Sequence, residues 1–433
     1  MRILHLTPGT GTFHCGSCLR DHALIKALRA RGHDAVMAPL YLPLVTDGEE
    51  ASPEQPVRVG GVGLYLQQKF PWFRFLPRFL HRLLDSPKLL RWAAGKMGMT
   101  SARDLGEMTV GSLLGENGRQ WLEWEKLVRW IGDEHKPDIV SLSNSLLIGL
   151  APALSRLGLP VVVSLQGEDS FLDTLVEPYR TQAWDLMREN ARHVAHFVAP
   201  SRFYADLMAG RLKVNADQLS VVFNGLDFSL YQREHREPDE PVIGYLARMI
   251  HGKGLTTLVD AFILMAERQC VPRVRLRIGG AVTPVDEEYI SRLKDKLHDA
   301  GLEARVSWEP NLSFEDKVRF LNELSVFSVP ATYGEAFGFY VIEAQACGVP
   351  VVQPRHGAFP EILTLTQGGL LCEPDDVESL AEKLQDLLLD DRKRHQLGET
   401  ARVQTQASFS AAIMAEKFER VLKTAAAWQS ERT

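Results

Sequence analysis

Cysteine is scarce in this chain: five in 433 residues, an odd number thinly spread, which excludes a disulfide framework and fits a reducing compartment. Basic residues are not in excess either. With 49 Lys and Arg against 55 Asp and Glu, the net charge of −6 gives no general reason to bind nucleic acid. No apolar run is long enough for a membrane span. The least charged stretch, DIVSLSNSLLIGLAPALSRLGLPVVVSL, is broken by Ser, Asn, Gly, Pro and Arg and reads as strand, helix, strand. The opening MRILHLTPGTG lacks the apolar core and cleavage site of a signal peptide, so no export is implied and the expected location is cytoplasmic. Internal repeats and low-complexity tracts are also missing.

What is there is enough apolar sequence for two domains of roughly 200 residues each. RILHL reads as a strand, LRDHALIKALRAR as a helix closed by Gly32, and DAVMAPLYLP as a second strand. Strand, glycine loop, helix, strand is the unit of a parallel sheet. PDIVSLS, PVVVSL and HFVAPS continue the series. A second series follows in PVIGYLA, VRLRIGG, RVSWEP, VFSVPA and PVVQPR, alternating with amphipathic stretches such as LTTLVDAFILMAER. The fold class expected is therefore α/β, with two tandem Rossmann-like, doubly wound parallel sheets. The charged, proline-bearing YQREHREPDEP is the expected linker. It divides the chain into residues 1–238, with a helical insertion near 65–130, residues 239–410, and a helix at 411–433 that could pack on either domain.

The densest chemistry lies in YGEAFGFYVIEAQACGVPVV. It places Glu335 in a loop just after a strand and Glu343 eight residues later, inside a helix starting near Gly338. Unpaired amides at a helix N-terminus attract a phosphate, and Gly334 and Gly338 let it approach. The two carboxylates would then flank the anion and accept hydrogen bonds from sugar hydroxyls. Upstream, GYLARMIHGKG ends a strand and delivers Arg248 and Lys253, two cations able to neutralise a diphosphate. A helix-capping pair and two surface charges are the bland alternatives, and the strand-end positions argue against them.

The motifs EAFGFYVIE, ARMIHGK, FNGLD at 223–227 and VVQPRHGAFPEI stand in the order and spacing of family 4 of the retaining glycosyltransferases, which this sequence resembles. The resemblance implies the GT-B fold, a nucleotide-diphosphate sugar donor held by the second domain, and an interdomain cleft. It implies that Arg248 and Lys253 meet the diphosphate, Glu335 the donor sugar and Glu343 the ribose, with Gly16, Ala336, Phe337, Gly338 and Phe339 lining the donor site. No metal and no cofactor are expected, and no Asp-x-Asp motif is evident. The base, UDP or GDP, is left open, as are the sugar and acceptor; no nucleophile is named.

In the first domain the family's glycine-rich loop corresponds to TPGTGTFHCGSC. Cys15 and Gly16 fall where relatives carry paired glycines, so Cys15 is expected on the acceptor side. Cys18 opens a helix, a place that lowers a thiol's pKa, so a reactive Cys18 is a second reading. A metal site of His14, Cys15, Cys18 and His22 is a third, lacking a second ligand half. Many relatives place a His where this chain has Gln166, which leaves Gln166 to bond a donor hydroxyl and Glu168 or Asp169 to orient the acceptor or to cap a helix.

Residues 69–92 hold six Lys or Arg against one Asp and interleave them with six aromatics. That composition suits an anionic membrane surface, hence peripheral attachment at the inner membrane face, or else a covering helix. Two rivals to transfer stand beside it: an epimerase acting on the nucleotide sugar, and a catalytically silent binding or scaffold protein.

Overall fold

A computed structural model describes residues 1–8, 16–40, 102–118, 121–231 and 238–430. It falls into two compact units, Met1–Gly225 with Ala411–Thr433, and Leu226–Ser410.

In the first unit, short runs rich in Val, Ile, Leu and Ala form β1 (Arg2–Thr7), β2 (Asp34–Pro39), β3 (Ile139–Leu142), β4 (Val161–Ser164), β5 (His196–Ala199) and β6 (Leu219–Val221). All neighbours are parallel, in the order β2-β1-β3-β4-β5-β6. A parallel sheet is covered on both faces, which is why β3, β4 and β5 are mostly apolar and are buried along their whole length. Helix Gly16–Ala30 makes the first crossover, from β1 to β2. Its Leu24 and Leu28 pack with Ile3, Met37 and Ile139, and the helix Ala411–Ser430 completes that core with Met414, Phe418 and Leu422. The C-terminal helix thus belongs to the first unit.

The second unit repeats the design with β7 (Val242–Leu246), β8 (Arg275–Gly280), β9 (Val306–Pro310), β10 (Val326–Phe327), β11 (Val351–Pro354) and β12 (Gly369–Cys372). Read from one edge the order is β9-β8-β7-β10-β11-β12, the doubly wound arrangement of dinucleotide-binding sheets. The order reverses between β7 and β10 here, and between β1 and β3 in the first unit. Loops leaving the carboxyl ends of such strands border the crevice where open sheets take ligands.

The units divide at Gly225 and Leu226, ahead of the charged segment expected as linker. The reason is local. Leu226 N–H donates to Phe409 O at 2.8 Å and bridges to Ser410, while Tyr231 is buried within the second unit, so residues 226–231 already belong there. Of the insertion expected near 65–130, Ala102–Leu113 and Trp121–Arg129 are helices. Residues 69–92 lie outside the described residues.

Candidate functional site

The loop after β7 folds back through a short turn, His251–Lys253, that ends on Gly254. Gly254 has φ +72° and its backbone lies so close to the chain after β10 that a Cβ would stand 1.7 Å from Pro330 O. No other residue fits that approach. Thr332 N–H donates to Gly252 O at 3.0 Å, so the loops after β7 and β10 are stitched together and Lys253 faces Glu335.

Lys253 Nζ lies 2.5 Å from Glu335 Oε2, and the same oxygen accepts from Tyr340 Oη at 2.9 Å and Tyr333 Oη at 3.5 Å. The ammonium also stands 5.0 Å from the Tyr333 ring centre and 5.5 Å from that of Tyr340. Burial works against the charged lysine, but the Glu335 carboxylate and Tyr333 outweigh it and hold its pKa above the ordinary value. Burial, with the Glu335 charge, pushes Tyr340 and Tyr333 up. All three groups are therefore donors at neutral pH. Lys253 spends N–H bonds on Glu335 and Tyr333, and the third is left for a ligand.

Behind Glu335, Ala358 N–H donates to Glu335 O at 3.0 Å and His356 Nε2 lies 2.8 Å from Ala331 O, which gives the motif VVQPRHGAFPEI a supporting role. Gly338 (φ +85°) caps the helix Phe339–Ala346; a Cβ there would meet the Phe359 ring at 2.7 Å. Ala336 and Phe337 are buried, and Phe337 packs edge-on against Phe339 and Phe409. These two residues shape the helix start from the inside. Glu343, in the second turn of that helix, is 7% exposed; its Oε1 accepts from Tyr231 Oη and Lys317 Nζ, each at 2.7 Å. Arg248 has a half-exposed side chain, 3.4 Å from Asp286 Oδ1, and Asp286 is itself held by Thr283.

In the first unit, Gly16 opens the helix Gly16–Ala30 and is exposed. Cys15 and His14 lie outside the described residues. Cys18 is buried at 5% exposure, with Sγ 3.9 Å from Thr7 Oγ1, which corrects the expectation of a reactive thiol: the helix start is there, but solvent access is not. Among the described residues no group of three or more His, Cys, Asp or Glu could hold a metal ion. At the end of β4, Glu168 is buried and accepts from Ser145 N–H and Gln166 N–H, each at 2.7 Å, and from Tyr204 Oη at 3.2 Å. The Gln166 side-chain Nε2 is sealed from solvent without a hydrogen-bond partner among the described residues, as are Ser164 Oγ, two residues earlier, and Ser145 Oγ. Asp169 is half-buried; its own N–H lies 3.4 Å from Tyr204 Oη.

Sequence reasoning passed over a buried polar network. Asp21 Oδ1 lies 2.5 Å from Arg20 Nη1 and 3.2 Å from His5 Nε2; Oδ2 accepts from Ser143 Oγ at 2.5 Å. His5 Nδ1 reaches Ser141 Oγ at 3.1 Å, and Arg20 Nε donates to Asn224 Oδ1 at 3.3 Å. Burial opposes the Asp21 charge, yet His5 and Arg20 bring its pKa down to about 2. The available signal was register: Asp21 sits three and seven residues before Leu24 and Leu28, on the apolar stripe. Lys317 and Tyr231 were missed too, for want of any local pattern, and Tyr340 was passed over although it stands within EAFGFYVIE, five residues from Glu335.

The geometry defines a two-unit α/β protein with a charged cradle at the sheet switch point of its second unit, and solved glycosyltransferases share that architecture. The Anabaena Alr3699/HepE protein in complex with UDP superposes with TM-score 0.67 at 19% identity, over 98% of this chain and 100% of that one. Sucrose-phosphate synthase from Thermosynechococcus elongatus gives 0.68 at 18%, over 97% and 98%. These likenesses establish the GT-B fold.

The sequence carries the finer statement. Residues 227–404 match the model for glycosyl transferases group 1, and residues 20–225 match that for the glycosyl transferase 4-like domain; the chain belongs to this family. Among curated relatives, a GDP-mannose-dependent monoacylated alpha-(1-6)-phosphatidylinositol monomannoside mannosyltransferase of Corynebacterium glutamicum is 32% identical over 42% of this chain and 47% of its own length. The capsular polysaccharide biosynthesis glycosyltransferase CapM of Staphylococcus aureus is 27% identical over 46% and 53%. The chain spans about half the length of these relatives. No helix among the described residues is long and apolar enough to cross a membrane.

Proposed function

We propose that the protein transfers a sugar, with retention and without a metal ion, from a nucleotide-diphosphate sugar to an acceptor hydroxyl. The observation that carries this is the Lys253–Glu335 pair, 2.5 Å apart on the stitched loops after β7 and β10, beside the start of the helix Phe339–Ala346. An ammonium with an N–H bond to spare, the half-exposed Arg248 and a helix N-terminus are what a departing diphosphate needs. Glu335 Oε1 receives no hydrogen bond among the described residues and is available to a sugar hydroxyl. Glu343 takes the ribose. As the anomeric carbon–oxygen bond to the phosphate lengthens, the leaving oxygen gains charge; the acceptor hydroxyl attacks on the same face and gives its proton to that oxygen.

In the first unit, Gln166 is the residue assigned to a donor hydroxyl, and Asp169 the one assigned to the acceptor. Glu168 serves them as framework, since both its oxygens are occupied. The donor base is UDP or GDP: the Anabaena structure holds UDP, and the Corynebacterium relative is named for GDP-mannose. A cytoplasmic site, with residues 69–92 at the inner membrane face, is part of this reading and rests on composition alone.

The test is incubation with UDP- and GDP-sugars in the presence of a chelator, followed by mass spectrometry and anomer assignment by NMR. Release of nucleoside diphosphate with a product of unchanged anomeric configuration is expected. An inverted product, a requirement for divalent metal, or recovery of an isomerised sugar nucleotide overturns the proposal.

A further inference from the structure

Both glutamates of the site are held in the same manner, and one of the two clamps has no counterpart in any motif. Glu335 is gripped through Oε2 alone by Lys253 and two tyrosines. Glu343 is gripped through Oε1 alone, by Lys317 Nζ and Tyr231 Oη, each at 2.7 Å. Its Oε2 receives no hydrogen bond among the described residues.

We propose that Lys317 and Tyr231 are positioning residues that pin Glu343 Oε1, so that Oε2 is presented, oriented in advance, to the ribose hydroxyls of the donor nucleotide. This rests on the reading above, in which Glu343 takes the ribose. Three features support it. The clamp is rigid: the Lys317 ammonium lies 4.6 Å from the Phe314 ring centre, and Phe314 meets Tyr231 edge-on at 5.6 Å, so stem, ring and hydroxyl fix one another. The clamp is close to dry, with side-chain exposures of 14% for Lys317 and 9% for Glu343, where a carboxylate lacking its cation would be costly. Finally, the pair is neutral as a whole, so a carboxylate can stand beside a diphosphate without repelling it. An already ordered acceptor loses less freedom when the hydroxyls arrive.

A purely structural ion pair would weaken all nucleotides alike, and the experiment uses that difference. Calorimetric titration of the full chain with UDP and GDP is followed by titration with the 2′-deoxy form of whichever binds more tightly. The wild type is expected to prefer the ribonucleotide by roughly tenfold. In Tyr231→Phe and Lys317→Met the ribonucleotide weakens by about that factor while the 2′-deoxy form is unchanged, so the preference approaches one; Lys317→Arg restores it in part. Tyr231→Phe removes a single hydroxyl and keeps the test open should Lys317→Met not fold. Equal weakening of both nucleotides, or an unchanged preference in both variants, overturns the inference. A wild type that transfers sugar yet does not distinguish the two forms sinks the clamp and leaves the proposed function standing. Failure to bind UDP or GDP, with no transfer, sinks both.

Discussion

Asp21 in the first unit and Glu335 in the second are both carboxylates facing a basic side chain at 2.5 Å, yet they are finished differently. Asp21 spends both oxygens, on Arg20, His5 and Ser143, inside a fully buried cluster. Glu335 and Glu343 each spend one oxygen and keep the other. Saturation is what a buried charge needs to survive away from water. An oxygen left unbonded in a dry setting has no such use, and makes sense where a ligand is to supply the missing donor. By the same criterion Glu168, occupied on both oxygens, sides with Asp21.

The largest effect that can break this comparison is on stability. Asp21→Asn strands the Arg20 charge in the interior and is expected to destabilise the protein by about 3–5 kcal/mol in urea denaturation. The wild-type contribution also has a defined pH range. Because the folded pKa of Asp21, about 2, lies below its unfolded value, the stabilisation is present above pH ~4 and is lost as pH falls toward 2. An Asp21→Asn protein as stable as wild type at pH 7 would remove the distinction.

Next in size is Lys253→Met, expected to lower kcat on the order of a hundredfold or more by removing a cation from the leaving group. It also leaves Glu335 unpaired, so the double variant Lys253→Met, Glu335→Gln sharpens the contrast: stability returns and turnover does not. Recovery of both would make the pair structural, like Asp21. The smallest effect belongs to Arg248→Ala. An exposed contact at 3.4 Å contributes under about 1 kcal/mol to folding, so thermal melting should barely move while KM for the donor rises.

The sheet strands were legible where a fully buried strand is dominated by Val, Ile and Leu between turn residues, as β3 and β4 are. The edge strands β6, three half-buried residues, and β12, which opens on Gly369 and is mostly half-buried, offer too little pattern to stand out. In the site, Arg248, Lys253, Glu335 and Glu343 announced themselves through spacing along a loop or a helix start. Tyr231 and Lys317 did not, because their partner Glu343 lies 112 and 26 residues away, and sequence distance carries no trace of such a meeting. His5 hid within an apolar strand, where an imidazole looks like one more core residue.

The return of the helix Ala411–Ser430 to the first unit has a consequence for synthesis. On the ribosome Leu226–Ser410 is complete, and free to fold, while the earlier-made unit still lacks Met414, Phe418 and Leu422. The unit that carries the candidate site, though second in order of translation, is the one able to mature first, and the older unit waits with an open apolar seam. Chaperone capture during translation should therefore concentrate on the N-terminal segment and end when the final helix emerges.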